Sequence, residues 1–220
     1  MPSIIVTKDG SHSLINEQLN ETYHSTHGAI QESTYVFIEK GLREFGNGDA
    51  RSVRILEVGF GTGLNALLAY QFAQTSATDV TYHTLEAFPL DKQIWSQLNY
   101  CDSLGMCDVF HRLHSVSWNE SHHFPDRFTF RKNHSKLEEE ILPSQGFDVV
   151  FFDAFAPSKQ PDMWTREILS KVCQAIAKNG IFVTYCAKGQ VKRDLREFGL
   201  EVETLPGPPG KKEMIRARRP

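Results

Sequence analysis

Ile55-Leu56-Glu57-Val58-Gly59-Phe60-Gly61-Thr62-Gly63-Leu64-Asn65 is an apolar strand that runs into three alternate glycines and then into an apolar helix. Such an order describes a sheet strand turning tightly into a helix N-terminus, with side chains removed where a ligand approaches the backbone. Each glycine costs roughly 0.5–1 kcal/mol relative to alanine in regular structure, and an unliganded turn needs one, seldom three. The stretch therefore points to a nucleotide-type cofactor. A dinucleotide fingerprint reads G-x-G-x-x-G, its third glycine allowing close packing of helix on strand. Here the spacing is G-x-G-x-G, and Leu64 stands where that third glycine would fall. Glu57, two residues before Gly59, is equally unusual for a dehydrogenase; a carboxylate there can hold loop amides or lie near the positive charge of a ligand.

The pattern E-x-G-x-G-x-G resembles the first motif of class I S-adenosylmethionine-dependent methyltransferases, where the loop wraps the methionine end and ribose of the cofactor. The next strand, Val80–Leu85, ends at Glu86. In nucleotide-binding α/β folds a carboxylate at that strand end accepts hydrogen bonds from ribose hydroxyls.

Working outward, Ser3 to Asn16 alternates around Asp9-Gly10 as a hairpin, and Ile30 to Phe45 has helical spacing stopped by Gly46-Asn47-Gly48. Residues 1–50 read as an N-terminal cap and 51–220 as one compact α/β unit. That unit reads as strand 53–58, helix 64–73, strand 80–86, helix 89–100, a strand at 128–130, a short helix 136–141 and a buried strand 147–152. Helix 161–177, stopped by Asn179-Gly180, strand 181–185, helix 188–198 and strands 200–205 and 214–218 follow. Pro206 to Gly210 is too short for a crossover, so the last two strands form an antiparallel hairpin. The expected fold is a doubly wound, mostly parallel seven-stranded sheet with one antiparallel strand, the class I methyltransferase layout.

The 220 residues suffice for one α/β core, and a net charge of −3 is ordinary for a globular protein. No apolar run has transmembrane length and no signal-peptide pattern is present, so a cytoplasmic protein without a membrane partner is expected. Cys101, Cys107, Cys173 and Cys186 form no C-x-x-C pair and read as reduced thiols. The histidines lack ligand spacing and read as surface or loop residues, so no metal is expected. From Ala187 onward nine Lys/Arg face five acidic residues, +4, against −7 for the rest of the chain. A basic C-terminal segment on an acidic body points to a polyanionic partner, although solvated faces account for such counts as well.

Asp153 follows the buried strand Phe147–Phe152 directly, so it sits at a C-terminal strand end facing the site. Asp is also a common turn residue at such a place. Methyl transfer to nitrogen requires a free lone pair, and an alkylamine near neutrality must first lose a proton. A carboxylate orients the amine and receives that proton.

The segment Phe152-Asp153-Ala154-Phe155-Ala156-Pro157-Ser158-Lys159-Gln160-Pro161-Asp162-Met163-Trp164 resembles the signature of the methyltransferase part of the bacterial tRNA wobble-uridine enzymes of the MnmC family, whose single-domain relatives are often called MnmD. The glycine loop, Glu86 to Leu90, Tyr23 to Gly28 with Glu32, Tyr35-Val36-Phe37 and Gly210 to Met214 are similar too, so the resemblance runs from about residue 20 to the end. It implies methylation of the exocyclic amine of 5-aminomethyl(-2-thio)uridine in the tRNA anticodon loop, downstream of an enzyme that supplies the aminomethyl group. Carried over residue by residue, Glu57, Gly59, Gly61, Gly63, Asn65, Glu86, Tyr23, Ser25 and Glu32 would bind S-adenosylmethionine and Asp153 would meet the amine. Phe155 and Pro157 would shape a slot for the extruded base. Lys188, Lys192, Arg193, Lys211 and Lys212 would contact phosphates. One departure is the sequence Arg131 to Ser135, where relatives carry an Asp toward the adenine. No second glycine fingerprint follows residue 63, so no flavin-dependent oxidase half is expected. Two other readings are a methyltransferase of a small-molecule amine and a non-catalytic binding protein that keeps the fold.

Overall fold

Asp148 of one strand grips Arg54 of its neighbour through two side-chain bonds (3.0 and 2.8 Å), fixing the register at the centre of an eight-stranded sheet. The computed structural model describes residues 2–48 and 50–220. The chain opens with β1 (Ser3–Val6), β2 (His12–Asn16) and β3 (Glu21–Thr22), a small antiparallel sheet that includes the expected hairpin. Then come α1 (Ala29–Ser33), a π-helical turn Thr34–Glu39 and a 3-10 turn Leu42–Gly48, in place of one regular helix. Next are β4 (Ser52–Val58), α2 (Leu64–Ser76), β5 (Asp79–Glu86), α3 (Lys92–Trp95), α4 (Tyr100–Leu104) and α5 (Cys107–Ser115). They are followed by β6 (Ser121–Phe124), β7 (Phe128–His134) and β8 (Phe147–Phe152). The chain closes with α6 (Arg166–Ala175), β9 (Ile176–Thr184), α7 (Gly189–Glu197), β10 (Glu201–Pro206) and β11 (Glu213–Arg218).

The strand order is β10-β11-β9-β8-β4-β5-β7-β6. Strands β4, β5, β7, β8 and β9 are parallel, and β11 runs antiparallel to both β9 and β10. The class I layout is therefore present with one addition. An eighth strand, β6, hairpins back on β7 at the edge and is a second antiparallel element. Strand order reverses between β4 and β8, which puts the crevice at the C-terminal ends of β4, β5 and β8.

Helix α2 is apolar nearly all round because it is covered on both sides. Leu64, Leu67, Leu68 and Phe72 share one core with Ile55 and Tyr82 of the sheet and with Leu14, Val36 and Phe37 of the N-terminal segment. A second core on the opposite face joins Leu56, Val150 and Phe152 to Leu169, Val172 and Leu195.

Three further segments depart from expectation. Asn179-Gly180 does not stop a helix. Helix α6 ends at Ala175, and β9 begins at once with a register shift against Phe147/Val149, Asn179 at φ 62° absorbing the irregularity. The segment 89–100 holds the single turn α3 and the start of α4, and Asn99 between them is tied to the hairpin. Its Oδ1 accepts the His12 amide (2.7 Å) and its Nδ2 donates to the Gly10 carbonyl (2.9 Å), tying the hairpin down. Asn99→Ala removes both bonds, and a loss of about 1–3 kcal/mol in denaturant unfolding is expected. Residues 136–141 form a turn, not a helix, since the carbonyls of Leu137 and Glu138 accept from Lys171 Nζ (2.8 Å each) and Glu140 is held by Asn133 and Ser135.

Cys101 and Cys107, read as separate thiols, are bonded to each other (Cα–Cα 4.3 Å); Cys173 and Cys186 are free and buried. Among the described residues one group of three metal-capable side chains occurs, Cys101, Asp102 and Cys107, which contains that bonded pair. No helix among them is long and apolar enough to cross a membrane.

Candidate active site

Gly59, Gly61 and Gly63 all have positive φ (94°, 48° and 74°), and each is demanded by a different neighbour. A Cβ on Gly59 would lie 3.0 Å from the Asp153 carbonyl, on Gly61 3.3 Å from the Tyr23 ring, and on Gly63 2.7 Å from His114 Nε2. The loop amides are held from β5. Gly59 and Phe60 donate to the Leu85 carbonyl (3.0 and 3.3 Å), and Gly61 donates to Glu86 Oε2 (2.8 Å). The other Glu86 oxygen accepts from the Phe88 amide (2.8 Å). Glu86 therefore does the loop-holding that the sequence suggested for Glu57.

Two histidines, His24 buried and His114 half-buried, brace the loop from outside. His114 Nε2 donates to the Thr62 carbonyl (3.1 Å) while its ring stacks on Trp95 (centroids 4.5 Å). His24 Nε2 meets Thr62 Oγ1 at 2.7 Å. Burial is the main cause that pushes His114 down to about 3 and His24 to about 4, so both are neutral near pH 7. Lys132, fully buried, donates to the His114 carbonyl and lies 4.5 Å from the Trp118 ring; burial lowers it to about 8. The surface reading of His114 is thus corrected. The sequence marks His24 only as part of the matching segment Tyr23 to Gly28 and Lys132 not at all, because their roles arise from elements distant in the chain.

Across the crevice, Asp153 follows β8 and its amide donates to the Val58 carbonyl (3.1 Å). Asn65, in the first turn of α2, donates through Nδ2 to Asp153 Oδ2 at 2.9 Å. Burial, then repulsion from Glu32, push Asp153 up to about 7 against the Asn65 bond and the Lys211 charge. Its loop is pinned by Trp164 Nε1 to the Phe155 carbonyl (2.7 Å), Tyr185 Oη to the Ala154 carbonyl (2.9 Å) and the Phe155 amide to Gln160 Oε1 (3.2 Å). Phe155 meets Tyr23 edge-on, centroids 5.1 Å apart.

Between these walls lies a cavity of about 830 Å³ lined by Tyr23, Gly59, Gly61, Asn65, Glu86, Asp153 and Phe155 among the anticipated residues. Ser25, Glu32, Glu57, Gly63 and Pro157 are not in its wall. Gly63 lies under the loop against His114. Glu57 is fully buried beneath the site. Ser25 donates its amide to Glu32 Oε2 (2.6 Å), and the other Glu32 oxygen pairs with Lys211, whose ammonium lies 3.7 Å from the Tyr185 ring centroid. Among the basic residues, Lys192 is paired with Glu213 (3.0 Å), so it and Lys211 are committed internally. Lys188, Arg193 and Lys212 are exposed. Lys136 and Lys159, neither assigned a role from sequence although Lys159 lies in the signature segment, line the cavity, and Lys159 Nζ reaches the Asn20 carbonyl of the N-terminal segment (3.0 Å).

A cradle of positive-φ glycines, a carboxylate at the end of β5 and a second carboxylate opposite suit a nucleoside ligand that carries positive charge. The model of the S-adenosyl-L-methionine-dependent methyltransferases matches residues 104–220. The chain belongs to this family. S-adenosylmethionine is accordingly its cofactor, and the acidic cavity fits a sulfonium. The methyltransferase is 28% identical over 222 residues to the "tRNA 5-methylaminomethyl-2-thiouridine biosynthesis bifunctional protein MnmC" of Nitrosospira multiformis, covering 94% of this chain and 35% of that protein. With the protein of the same name from Hydrogenovibrio crunogenus it shares 30% identity over 215 residues, 90% of this chain and 31% of that one. The chain thus spans about a third of the length of these curated relatives. The crystal structure of MNMC2 from Aquifex aeolicus superposes with a TM-score of 0.82 at 26% identity, covering all of this methyltransferase and 71% of that chain.

Proposed function

We propose that this methyltransferase transfers a methyl group to the exocyclic amine of 5-aminomethyl(-2-thio)uridine at the wobble position of tRNA, giving the 5-methylaminomethyl form. The observation that carries the reading is Asp153. It is a carboxylate tuned to about 7, at a strand end beside the glycine cradle, in a cavity large enough to admit a nucleoside beside a cofactor. The names of the relatives supply the acceptor.

In this reading Gly59, Gly61, Asn65, Glu86 and Tyr23 hold S-adenosylmethionine, which when bound supplies an electrophilic methyl on a sulfonium. Asp153 accepts a hydrogen bond from the incoming amine and takes its proton, leaving the nitrogen lone pair aimed in line. Positioning of this kind is worth about 7–11 kcal/mol in well-oriented reactions. Phe155 and Tyr23 form an aromatic edge against which an extruded uracil packs. Glu57, Ser25, Glu32 and Gly63 act by shaping and bracing the site. Residues 1–50 serve as its cap, Lys159 strapping them to the Asp153 loop. Lys136, Lys159, Lys188, Arg193 and Lys212 attract the phosphates. The chemistry requires another enzyme to install the aminomethyl group, and tRNA as acceptor places the reaction in the cytoplasm.

The test is incubation with methyl-labelled S-adenosylmethionine and tRNA that lacks the final methylation, followed by nucleoside analysis. Label in the wobble nucleoside supports the reading; label transferred only to a small amine, or to nothing, sinks it. Charge reversal at Lys188, Arg193 and Lys212 should weaken tRNA binding and flatten its salt dependence, by about 0.7 in log–log slope for each single-strand phosphate no longer neutralised. An unchanged slope would remove these residues from the RNA path.

A further inference from the structure

Glu57 is a carboxyl sealed beneath the site, with no cation paired to it among the described residues. It is fully buried, and neither of its oxygens has a partner at hydrogen-bonding geometry among those residues. The groups around it are Tyr82 and Thr84 of β5, Asn65 of α2 and Asp153 at the end of β8. The Tyr82 and Thr84 hydroxyls and Asn65 Oδ1 are likewise sealed and unpaired, while Asn65 Nδ2 is spent on Asp153 Oδ2 (2.9 Å). An ionised carboxylate in such a setting is strongly disfavoured, and a neutral acid is not. Two carboxyls thus lean on one amide, and only one of them receives its bond.

We propose that Glu57 is a positioning residue for Asp153: held as a neutral acid, it leaves the Asn65 amide to the Asp153 carboxylate, which alone carries the negative charge that meets the amine. The proposal rests on the role given to Asp153 above. Burial first, with repulsion from Asp153 added and the Thr84, Tyr82 and Asn65 side chains opposing, raises Glu57 to about 8. Asp153 sits lower, at about 7, where Glu32 of α1 raises it and Asn65 and Lys211 lower it. Below about 7 Asp153 is protonated and cannot take the amine proton. Above about 8 Glu57 ionises, competes for the Asn65 amide and repels Asp153. The pair therefore titrates in coupled steps, turnover rising as Asp153 ionises and falling as Glu57 does.

Carboxyl carbon NMR of the full chain, which requires no acceptor, tests the pairing directly. Wild type should show two coupled steps in the range set by these groups. Glu57→Gln should remove the upper one, and Asp153→Asn should shift Glu57 downward. In turnover, Glu57→Leu should lower kcat by about 100-fold at constant cofactor affinity. Glu57→Gln should recover at least about a tenth of wild-type kcat and lose the alkaline fall. Glu57 titrating in the ordinary carboxylate range, or an alkaline fall that survives in Glu57→Gln, would overturn the proposal. Coupled titration together with absence of methyl transfer to tRNA supports the pairing while removing the acceptor assignment, so the two failures are distinct.

Discussion

Asp153→Asn lowers kcat by about 10² to 10⁴-fold and leaves S-adenosylmethionine affinity within about threefold, the range for loss of a positioned general base. The substitution keeps size and shape, and its carbonyl still accepts the Asn65 amide, which now bonds Asp153 Oδ2 at 2.9 Å. The backbone anchor from the Asp153 amide to the Val58 carbonyl (3.1 Å) and the bonds that pin residues 154 and 155 do not involve the carboxylate. What disappears is an anion that can take a proton near neutrality. Glu86 is no substitute, because its two oxygens already accept the Gly61 and Phe88 amides. The other carboxylates of the cavity wall, Glu17, Asp91, Glu138 and Asp162, are exposed and stand at its rim. Single-turnover rates together with calorimetric titration of the cofactor separate the two effects. Equal loss in both would make Asp153 a cofactor or folding residue.

The parts of this architecture legible in the sequence are those written in consecutive residues. The run Ile55 to Asn65 specifies strand, turn and helix because backbone conformation and side-chain removal are local properties. Asp153 is legible for a similar reason, since a buried apolar strand ends immediately before it. The interior of the site is another matter. Nothing local shows that Glu86, rather than Glu57, holds the loop amides. Both are acids at strand ends, and the side to which each points depends on how β4 pairs with β5. His114 reads as one more polar residue in 104–142 until α5 brings it under Thr62, 52 residues away in sequence. The resemblance offers Lys211 and Lys192 as phosphate ligands, yet Glu32 and Glu213 take them. Asn179-Gly180 has the composition of a helix stop, and the same left-handed preference serves a strand irregularity equally well. Charge count and turn propensity name what a residue is able to do; long-range pairing selects among the options.

Gly63→Ala should destabilise the chain by about 2–5 kcal/mol, lowering its thermal midpoint by roughly 4–20 °C, and should weaken cofactor binding as well. Two costs add. At φ 74° an alanine pays the left-handed penalty of about 1–2 kcal/mol. Its Cβ would also lie 2.7 Å from His114 Nε2 and 3.1 Å from Phe60 Cζ. His114 cannot step aside cheaply, because its ring stacks on Trp95 at 4.5 Å and its Nε2 donates to the Thr62 carbonyl. The loop must therefore move, and Gly61 with the Glu86 bond moves with it. Gly105→Ala isolates the backbone cost, since Gly105 has φ 68° with nothing within 4 Å of an added Cβ among the described residues. It should lose only about 1–2 kcal/mol, without effect on cofactor affinity. The excess of Gly63→Ala over Gly105→Ala is then the steric cost imposed by His114. Combining Gly63→Ala with His114→Ala should return part of that excess in a double-mutant cycle. If the two glycine variants are equally destabilised, His114 does not constrain the loop, and the third glycine is required by backbone conformation alone.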